Sequence, residues 1–119
     1  LIDLGSGNGS PGLVLAILSP SLRVRLLEPR AKRWAFLREA VRVLGCAGVE
    51  VLRERHDQHS GPAADRISVR ALRLAPAEVA PLIAQGGKLL CWGPAWETTG
   101  GWHVESQAPG FQVLRRCFT

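Results

Sequence analysis

The fold is decided by the first part of the chain, Leu1-Ile2-Asp3-Leu4-Gly5-Ser6-Gly7-Asn8-Gly9-Ser10-Pro11-Gly12. The mainly apolar residues 1–4 predict a β-strand, and residues 12–18, which contain the apolar run 13–18, predict a short helix. The glycines between them let the backbone turn tightly and approach a ligand closely. This stretch therefore predicts the opening of a βαβ unit with a ligand loop between strand and helix.

The alternation continues along the chain. Trp34, Leu37, Val41 and Leu44 recur at helical spacing over residues 31–44, and Gly45 follows where a C-cap glycine is expected. Further strands are predicted at residues 23–27, 49–52, 67–69, 88–92 and 111–118, a helix at 76–84 that is stopped by two glycines, and a loop at 94–101. The pattern predicts an α/β fold, a Rossmann-like doubly wound, mostly parallel sheet in three α/β/α layers. No seventh, antiparallel strand is expected.

The length of 119 residues predicts a single domain, residues 1–119. The chain begins at Leu1 and contains no methionine, so we interpret it as a core truncated at both ends. Its longest apolar run, residues 13–18, is too short to cross a bilayer, and we expect a soluble, cytoplasmic protein without a membrane partner. A monomer is expected.

The net charge and the cysteines indicate which kinds of partner, disulfide or metal site can be expected. The formal net charge is +5 and nearly all basic residues are arginine, which suits either a polyanion such as RNA or a scattered, solvated surface. The three cysteines are widely spaced and form no C-x-x-C or Cys/His pair, so neither a disulfide framework nor a metal site is expected.

The spacing of the glycines and the preceding acid indicate the kind of ligand. Gly5-x-Gly7-x-Gly9 has the spacing of methyltransferase loops, and Ser10 is a poor third small residue for a dinucleotide fingerprint. The carboxylate of Asp3 would repel a pyrophosphate and favours the ammonium and sulfonium of S-adenosylmethionine. We therefore predict that the chain binds S-adenosylmethionine and that the residues that hold it are Asp3, Gly5, Ser6, Gly7, Gly9 and Ser10. A glycine turn without a ligand, or a nicotinamide site, is the alternative.

Two further positions fit the same cofactor. Glu28 ends the second strand, roughly 20 residues beyond the loop, where a Rossmann-type acid accepts from both ribose hydroxyls. Its alternative is a surface acid that pairs with Arg30 or Lys32. His56 and Asp57 follow the third strand, where an acid and a backbone N–H can meet adenine. A plain solvated loop is the alternative there.

The loop resembles that of the RsmG (GidB) family of 16S ribosomal RNA guanine-N7 methyltransferases, in which a Pro-Gly follows the third glycine. Three further stretches carry the resemblance over most of residues 1–93: Lys32-Arg33 with Phe36-Leu37, Arg55 before an acid, and Val69-Arg70-Ala71. The resemblance implies a class I methyltransferase fold and cofactor contacts at Gly5, Ser10, His56-Asp57 and Arg70.

The resemblance also implies features that this chain departs from. The family usually has Ser or Thr where Val69 stands, Lys where Trp92 stands, a final strand and an N-terminal helical segment that helps form an RNA-facing surface. We expect the last strand and that segment to be missing here, which puts the activity of this chain in doubt more than its fold.

The residues also bear on the reaction. Guanine N7 has a lone pair and no proton to lose, so its methylation needs positioning and no general base, and no catalytic residue is predicted. No Asn/Asp-Pro-Pro-aromatic or Pro-Cys motif is present, and Cys91 is interpreted as a buried strand residue. Arg70 is expected to anchor the cofactor carboxylate or an RNA phosphate, or else to pair with Asp65 or Glu78.

Lys32, Arg33 and Arg55 are candidate phosphate contacts. We therefore predict an S-adenosylmethionine-dependent enzyme that acts on ribosomal RNA or the small ribosomal subunit. The alternatives are a small-molecule methyltransferase with the same cofactor and a degenerate domain that binds nucleotide or RNA without turnover.

Overall fold

The computed structural model describes residues 1–70, 72–98 and 100–117. Ala71 and Phe118, which belong to two of the predicted features, lie outside the described residues. Seven strands and three helices follow the order β1 (Ile2–Leu4), α1 (Gly12–Leu18), β2 (Val24–Leu27), α2 (Ala31–Leu44), β3 (Val49–Leu52), β4 (Ala64–Arg70), α3 (Pro76–Val79), β5 (Ile83–Trp92), β6 (Trp102–Ala108) and β7 (Phe111–Arg116). Short 3-10 turns lie at His56–Gln58 and Ala80–Leu82.

The seven strands form one sheet with the order β3-β2-β1-β4-β5-β7-β6. β1 lies between β2 and β4 and runs parallel to both, with Asp3 in register with Leu26 on one side and Ser68 on the other. The strand order therefore reverses at β1: β2 and β3 lie on one side of it, and β4 and the later strands lie on the other. Ligands of open α/β sheets bind at such a switch point, beyond the carboxyl ends of the strands. The glycine loop (residues 5–12) stands at that place.

Two apolar clusters cover opposite faces of the sheet because side chains alternate along each strand. Leu26 belongs to a cluster with residues of α1 and α2, whereas its neighbour Leu27 belongs to the larger cluster with Val79 and Leu82. α1 and α2 therefore form one outer layer, and α3 with its following 3-10 turn contributes to the other. The predicted three-layer, mostly parallel architecture is confirmed.

α2 has the predicted bounds, Ala31–Leu44. Leu37 is fully buried, and Gly45 closes the helix in the left-handed conformation with φ 64°. Glycine adopts this conformation without the Cβ penalty that other residues meet, which explains why the helix ends there.

The end of the chain differs from prediction. We expected one strand after β5 and no seventh, and this expectation is wrong because residues 102–108 form β6, antiparallel to β7. β7 in turn pairs antiparallel with β5. β6 was missed because most of its side chains are polar and exposed, so no apolar period marks it. β6 is an edge strand, which needs only one pairing partner and little burial.

The predicted helix over residues 76–84 is also wrong in its second half. The α-helix covers only Pro76–Val79, and β5 begins at Ile83 and passes through Gly86 and Gly87. Gly87 lies where an added Cβ would stand 2.7 Å from Ile83 and 2.8 Å from the Ala84 carbonyl oxygen. Gly86 has φ 74°, in the left-handed region, so the pair marks an irregular and crowded place within a strand and not the end of a helix.

Among residues 1–70, 72–98 and 100–117, no helix combines the length and the apolar character that crossing a membrane requires.

Candidate functional site

The glycine loop is fixed to the sheet by its backbone. The amides of Gly5 and Ser6 both donate to the Leu27 carbonyl at the end of β2, at 2.9 and 3.1 Å. Gly7 has φ +55°, and a Cβ added to it would find no atom closer than 3.8 Å. A Cβ there would stand in ordinary contact with the Gly5 carbonyl oxygen at 3.8 Å and the Arg33 guanidinium at 3.9 Å, so a side chain at Gly7 would enter the space between the loop and α2.

Glu28 lies at the carboxyl end of β2 and is 2% exposed. Its carboxylate accepts hydrogen bonds from two backbone amides, Gly7 N at 2.9 Å and Arg30 N at 2.8 Å. The alternative of a surface acid paired with a basic side chain is therefore wrong, because this carboxylate is buried and bonded to the main chain. Glu28 ties the glycine loop to the turn that precedes α2.

Asp3 lies beneath the loop, buried at 1% exposure. One carboxylate oxygen accepts from the Ser68 hydroxyl at 2.6 Å, and the other, Oδ2, is buried without a hydrogen-bond partner. Burial raises the pKa of the Asp3 carboxyl, and the hydrogen bond from Ser68 opposes this shift. Gly12 packs so closely that an added Cβ would stand 2.5 Å from Oδ2. The start of α1 is thus held directly over this acid.

A pocket of about 560 Å³ opens above the loop, and we call it the loop pocket. The described residues that line it are Gly5, Ser6, Gly7, Asn8, Ser10, Lys32, Arg33, Phe36 and Arg70. The structure therefore brings together seven of the predicted site residues, from the loop, from the first turns of α2 and from the end of β4. Three of the lining residues are cations, which can pair with a carboxylate or a phosphate group of a ligand.

The remaining predicted residues lie outside that lining. Gly9 belongs to the loop but does not line the pocket, and Asp3 and Glu28 lie beneath or beside the loop and support it. The His56 imidazole, only 14% exposed, lies 4.0 Å from the Glu78 carboxylate of α3. Asp57 is more than half exposed and forms a 3.3 Å ion pair with Arg55. The structure thus does not bring His56, Asp57 or Arg55 to the loop pocket.

Arg70 is exposed at the end of β4, and the ion pairs among the described residues do not include it. The alternative reading, a structural ion pair with Asp65 or Glu78, therefore finds no support. Its guanidinium remains available to a ligand of the loop pocket.

Cys91 lies in β5 at 2% exposure, as predicted for a buried strand residue. Burial raises the pKa of its thiol to about 12, so the thiolate needed for nucleophilic chemistry is not populated near neutral pH. Among the described residues, no group of His, Cys, Asp and Glu side chains has the arrangement of a metal site.

Asn8 and Phe36 also line the pocket, although the sequence analysis gave them no role. The signal for Phe36 was present in the sequence. It stands four residues after Lys32 and three after Arg33, which places all three on neighbouring positions of one helix surface. Asn8 gave no such signal, because any residue fits between the loop glycines.

The fold defined by this sheet order and loop is that of the class I methyltransferases. Similar solved structures include yhhF of Escherichia coli, a presumed methyltransferase, with a TM-score of 0.80, 14% identity, and coverage of 99% of this chain and 77% of that one. A methyltransferase from Thiobacillus denitrificans, solved with S-adenosyl-L-homocysteine, has a TM-score of 0.67 and 19% identity over 82% of this chain and 42% of its own.

Sequence comparison then identifies the family. The model of the GidB family, rRNA small subunit methyltransferase G, matches residues 1–92. The chain belongs to this family. The protein of that name from Thermobifida fusca is 46% identical over 76% of this chain and 40% of its own length.

Its Thermotoga neapolitana counterpart is 38% identical, over 82% of this chain and 45% of its own. The protein from Neisseria meningitidis is 35% identical, over 90% of this chain and 50% of its own. The chain thus spans about half the length of the curated relatives that it matches.

Proposed function

We propose that this protein transfers the methyl group of S-adenosylmethionine to N7 of a guanine in small-subunit ribosomal RNA. The observation that carries the proposal is the loop pocket, in which a glycine loop tied to a buried acid lies beside three cations, two from the first turn of α2 and one from the carboxyl end of β4. Family membership supports the same activity, since relatives are named small-subunit ribosomal RNA methyltransferases.

The residues present fit the proposed cofactor. Gly7 lines the loop pocket without a side chain, so a ligand can approach its backbone, and a Cβ there would project toward the Arg33 guanidinium. Each Glu28 oxygen accepts one backbone hydrogen bond and keeps a lone pair for a ribose hydroxyl. Asp3, with an unpartnered buried oxygen, puts negative charge beneath the positions proposed for the ammonium and sulfonium groups. Gly5, Ser6, Gly9 and Ser10 complete the proposed cofactor site.

His56 and Asp57 remain proposed adenine contacts, at the end of β3. Asp57 would have to leave its exposed ion pair with Arg55, which costs little because surface pairs are worth about 0–1 kcal/mol. Burial of the cofactor's base between this segment and β2 would favour that exchange.

The cations of the loop pocket support an RNA substrate. Lys32, Arg33 and Arg70 line it together, and phosphate neutralisation by such side chains contributes most of the affinity of RNA-binding surfaces. Arg55, outside the pocket, is proposed as a further phosphate contact. Arg70 presents a planar guanidinium that binds a carboxylate or a phosphate through two hydrogen bonds.

The chemistry demands little from the side chains. S-adenosylmethionine, when bound, supplies an electrophilic methyl group on a sulfonium. The N7 lone pair of guanine attacks without losing a proton, so the chain has only to align the base and exclude water. Burial raises the pKa of the Cys91 thiol to about 12, so no nucleophilic role is proposed for this residue.

Calorimetric titration with S-adenosylhomocysteine, with NAD as the control ligand, tests the cofactor assignment first. Binding of the former alone is expected, and binding of NAD alone would overturn the assignment. Methyl transfer is then measured with tritiated S-adenosylmethionine on 16S ribosomal RNA and on intact small subunits. N7-methylguanine is identified by its susceptibility to borohydride and aniline cleavage. Cofactor binding without transfer to either RNA substrate would leave the domain a binding module and refute the proposed reaction.

A further inference from the structure

Phe36 is an exposed aromatic residue at the rim of the loop pocket. Its side chain is 56% exposed although it lines the pocket beside Lys32 and Arg33. A single exposed apolar residue is ordinary on a protein surface. An exposed ring combined with two cations on the same helix turn, over a concave site, is the arrangement that binds unstacked nucleobases.

The helix fixes this arrangement. α2 buries Leu37 against the sheet, which turns Lys32, Arg33 and Phe36 toward the glycine loop. The Arg33 guanidinium reaches over the loop and lies 3.9 Å from the position that a Cβ on Gly7 would occupy. The ring and the two cations are therefore held on a rigid element directly over the proposed methyl-transfer site.

The position of Phe36 favours contact with the RNA over contact with the adenine base of the cofactor. Glu28, proposed for the ribose, and His56 and Asp57, proposed for adenine, are not among the described residues that line the loop pocket. Phe36 shares the pocket with the loop residues Gly5, Ser6, Gly7 and Ser10, which are proposed for the cofactor, and with Arg70 at the end of β4. A base of the acceptor has to approach the cofactor's methyl group in this same pocket, and the exposed ring of Phe36 lies at its rim. We propose that Phe36 stacks on a base of the RNA substrate while Lys32 and Arg33 hold the adjoining phosphates.

This inference rests on the proposed function and specifies how the acceptor is held. The experiment compares the natural protein with Phe36→Ala, Phe36→Leu and Phe36→Trp, measuring Kd for 16S ribosomal RNA, Kd for S-adenosylhomocysteine and methyl transfer. Because the ring is exposed, these substitutions leave the core unchanged. Val43→Ala serves as the matched control, since Val43 is an apolar residue of the same helix that is 67% exposed and lies outside the pocket lining.

Phe36→Ala is expected to raise the Kd for RNA roughly 10- to 100-fold, the range for losing one base–aromatic stack. Leu, which keeps apolar area without a π-face, should restore little of the affinity, and Trp should restore most of it. The Kd of Phe36→Ala for S-adenosylhomocysteine should equal that of the natural protein. Val43→Ala should equal the natural protein in both Kd values and in methyl transfer.

Unchanged RNA affinity in Phe36→Ala, or full rescue by Leu, would overturn the stacking proposal. A loss of S-adenosylhomocysteine affinity in Phe36→Ala would also overturn it, because the ring would then contact the cofactor. If the natural protein itself neither binds nor methylates the RNA, the proposed function fails, and this result is distinct from any effect of the variants.

Discussion

Replacing Glu28 with glutamine tests how the glycine loop is held. The carboxylate accepts from Gly7 N at 2.9 Å and from Arg30 N at 2.8 Å, one bond to each oxygen. Glutamine has a single oxygen, so its NH₂ group would face one of these N–H donors. One backbone amide then lacks an acceptor, and the surviving bond loses the contribution of the charge.

The magnitude follows from these two bonds. A buried donor left without an acceptor costs about 1–3 kcal/mol, and changing a charged acceptor to a neutral one costs about 0.5–1.5 kcal/mol more. Gly7 borders the open pocket, where water can relieve part of the loss. We therefore expect Glu28→Gln to lower the free energy of unfolding by about 2 kcal/mol. The Kd for S-adenosylhomocysteine should rise at least about tenfold, since ribose hydroxyls would also lose a charged partner.

Urea unfolding followed by circular dichroism measures the first effect and calorimetry the second. Glu50→Gln is the matched control, because Glu50 is an exposed acid on the neighbouring strand β3 and should change stability by less than about 0.5 kcal/mol. If Glu28→Gln unfolds with the free energy of the natural protein, the carboxylate does not hold the loop. If stability falls and cofactor affinity does not, Glu28 supports the loop without contacting the ribose.

Three further outcomes are expected. Gly7→Val should abolish binding of S-adenosylhomocysteine in calorimetry while the far-ultraviolet spectrum is kept, because its side chain would enter the space above the loop; unchanged affinity would refute the site. Asp3→Asn should raise the unfolding free energy at neutral pH. Burial raises the pKa of this carboxyl, so its contribution to stability is full below the ordinary value and is lost as pH rises through the folded-state value.

Urea unfolding between about pH 4 and pH 8 should thus show a flatter profile for Asp3→Asn, and an unaltered profile would contradict the burial argument. Lys32→Ala should weaken RNA binding and reduce the slope of log K against log salt by about 1, measured by salt titration; an unchanged slope would remove Lys32 from the phosphate contacts.

Much of the fold could be predicted from local patterns in the sequence. The βαβ opening and α2 rest on short-range signals, a glycine loop between apolar runs and an apolar stripe that ends at Gly45. The edge strand β6 carried no such signal, because it forms through backbone pairing with β7 and buries few of its side chains. The prediction at Gly86-Gly87 was wrong for a related reason. The sequence does not distinguish glycines that end a helix from glycines within a strand, where Gly86 supplies a positive φ and Gly87 relieves crowding.

The candidate site was predictable to a lesser extent. The loop spacing and the acid at the end of β2 were sufficient to place Gly7 and Glu28 together. Sequence could not show that the Glu28 carboxylate is bonded to the loop backbone itself, because that contact depends on how β1 and β2 pair. Nor could it show that His56 turns toward Glu78, which depends on where α3 packs.

β1 pairs with a strand on each side, whereas β6 is the last strand in the sheet order and, among the described residues, pairs only with β7. A row of unpaired backbone groups at a sheet edge can template pairing between molecules and begin aggregation. The pairing of β6 shifts between Val104 and Ser106, and the residue at that irregularity, Glu105, forms salt bridges with Lys88 and Arg115. An irregular, charged edge is a poor template for such pairing, so we expect β6 to resist edge-to-edge association between molecules.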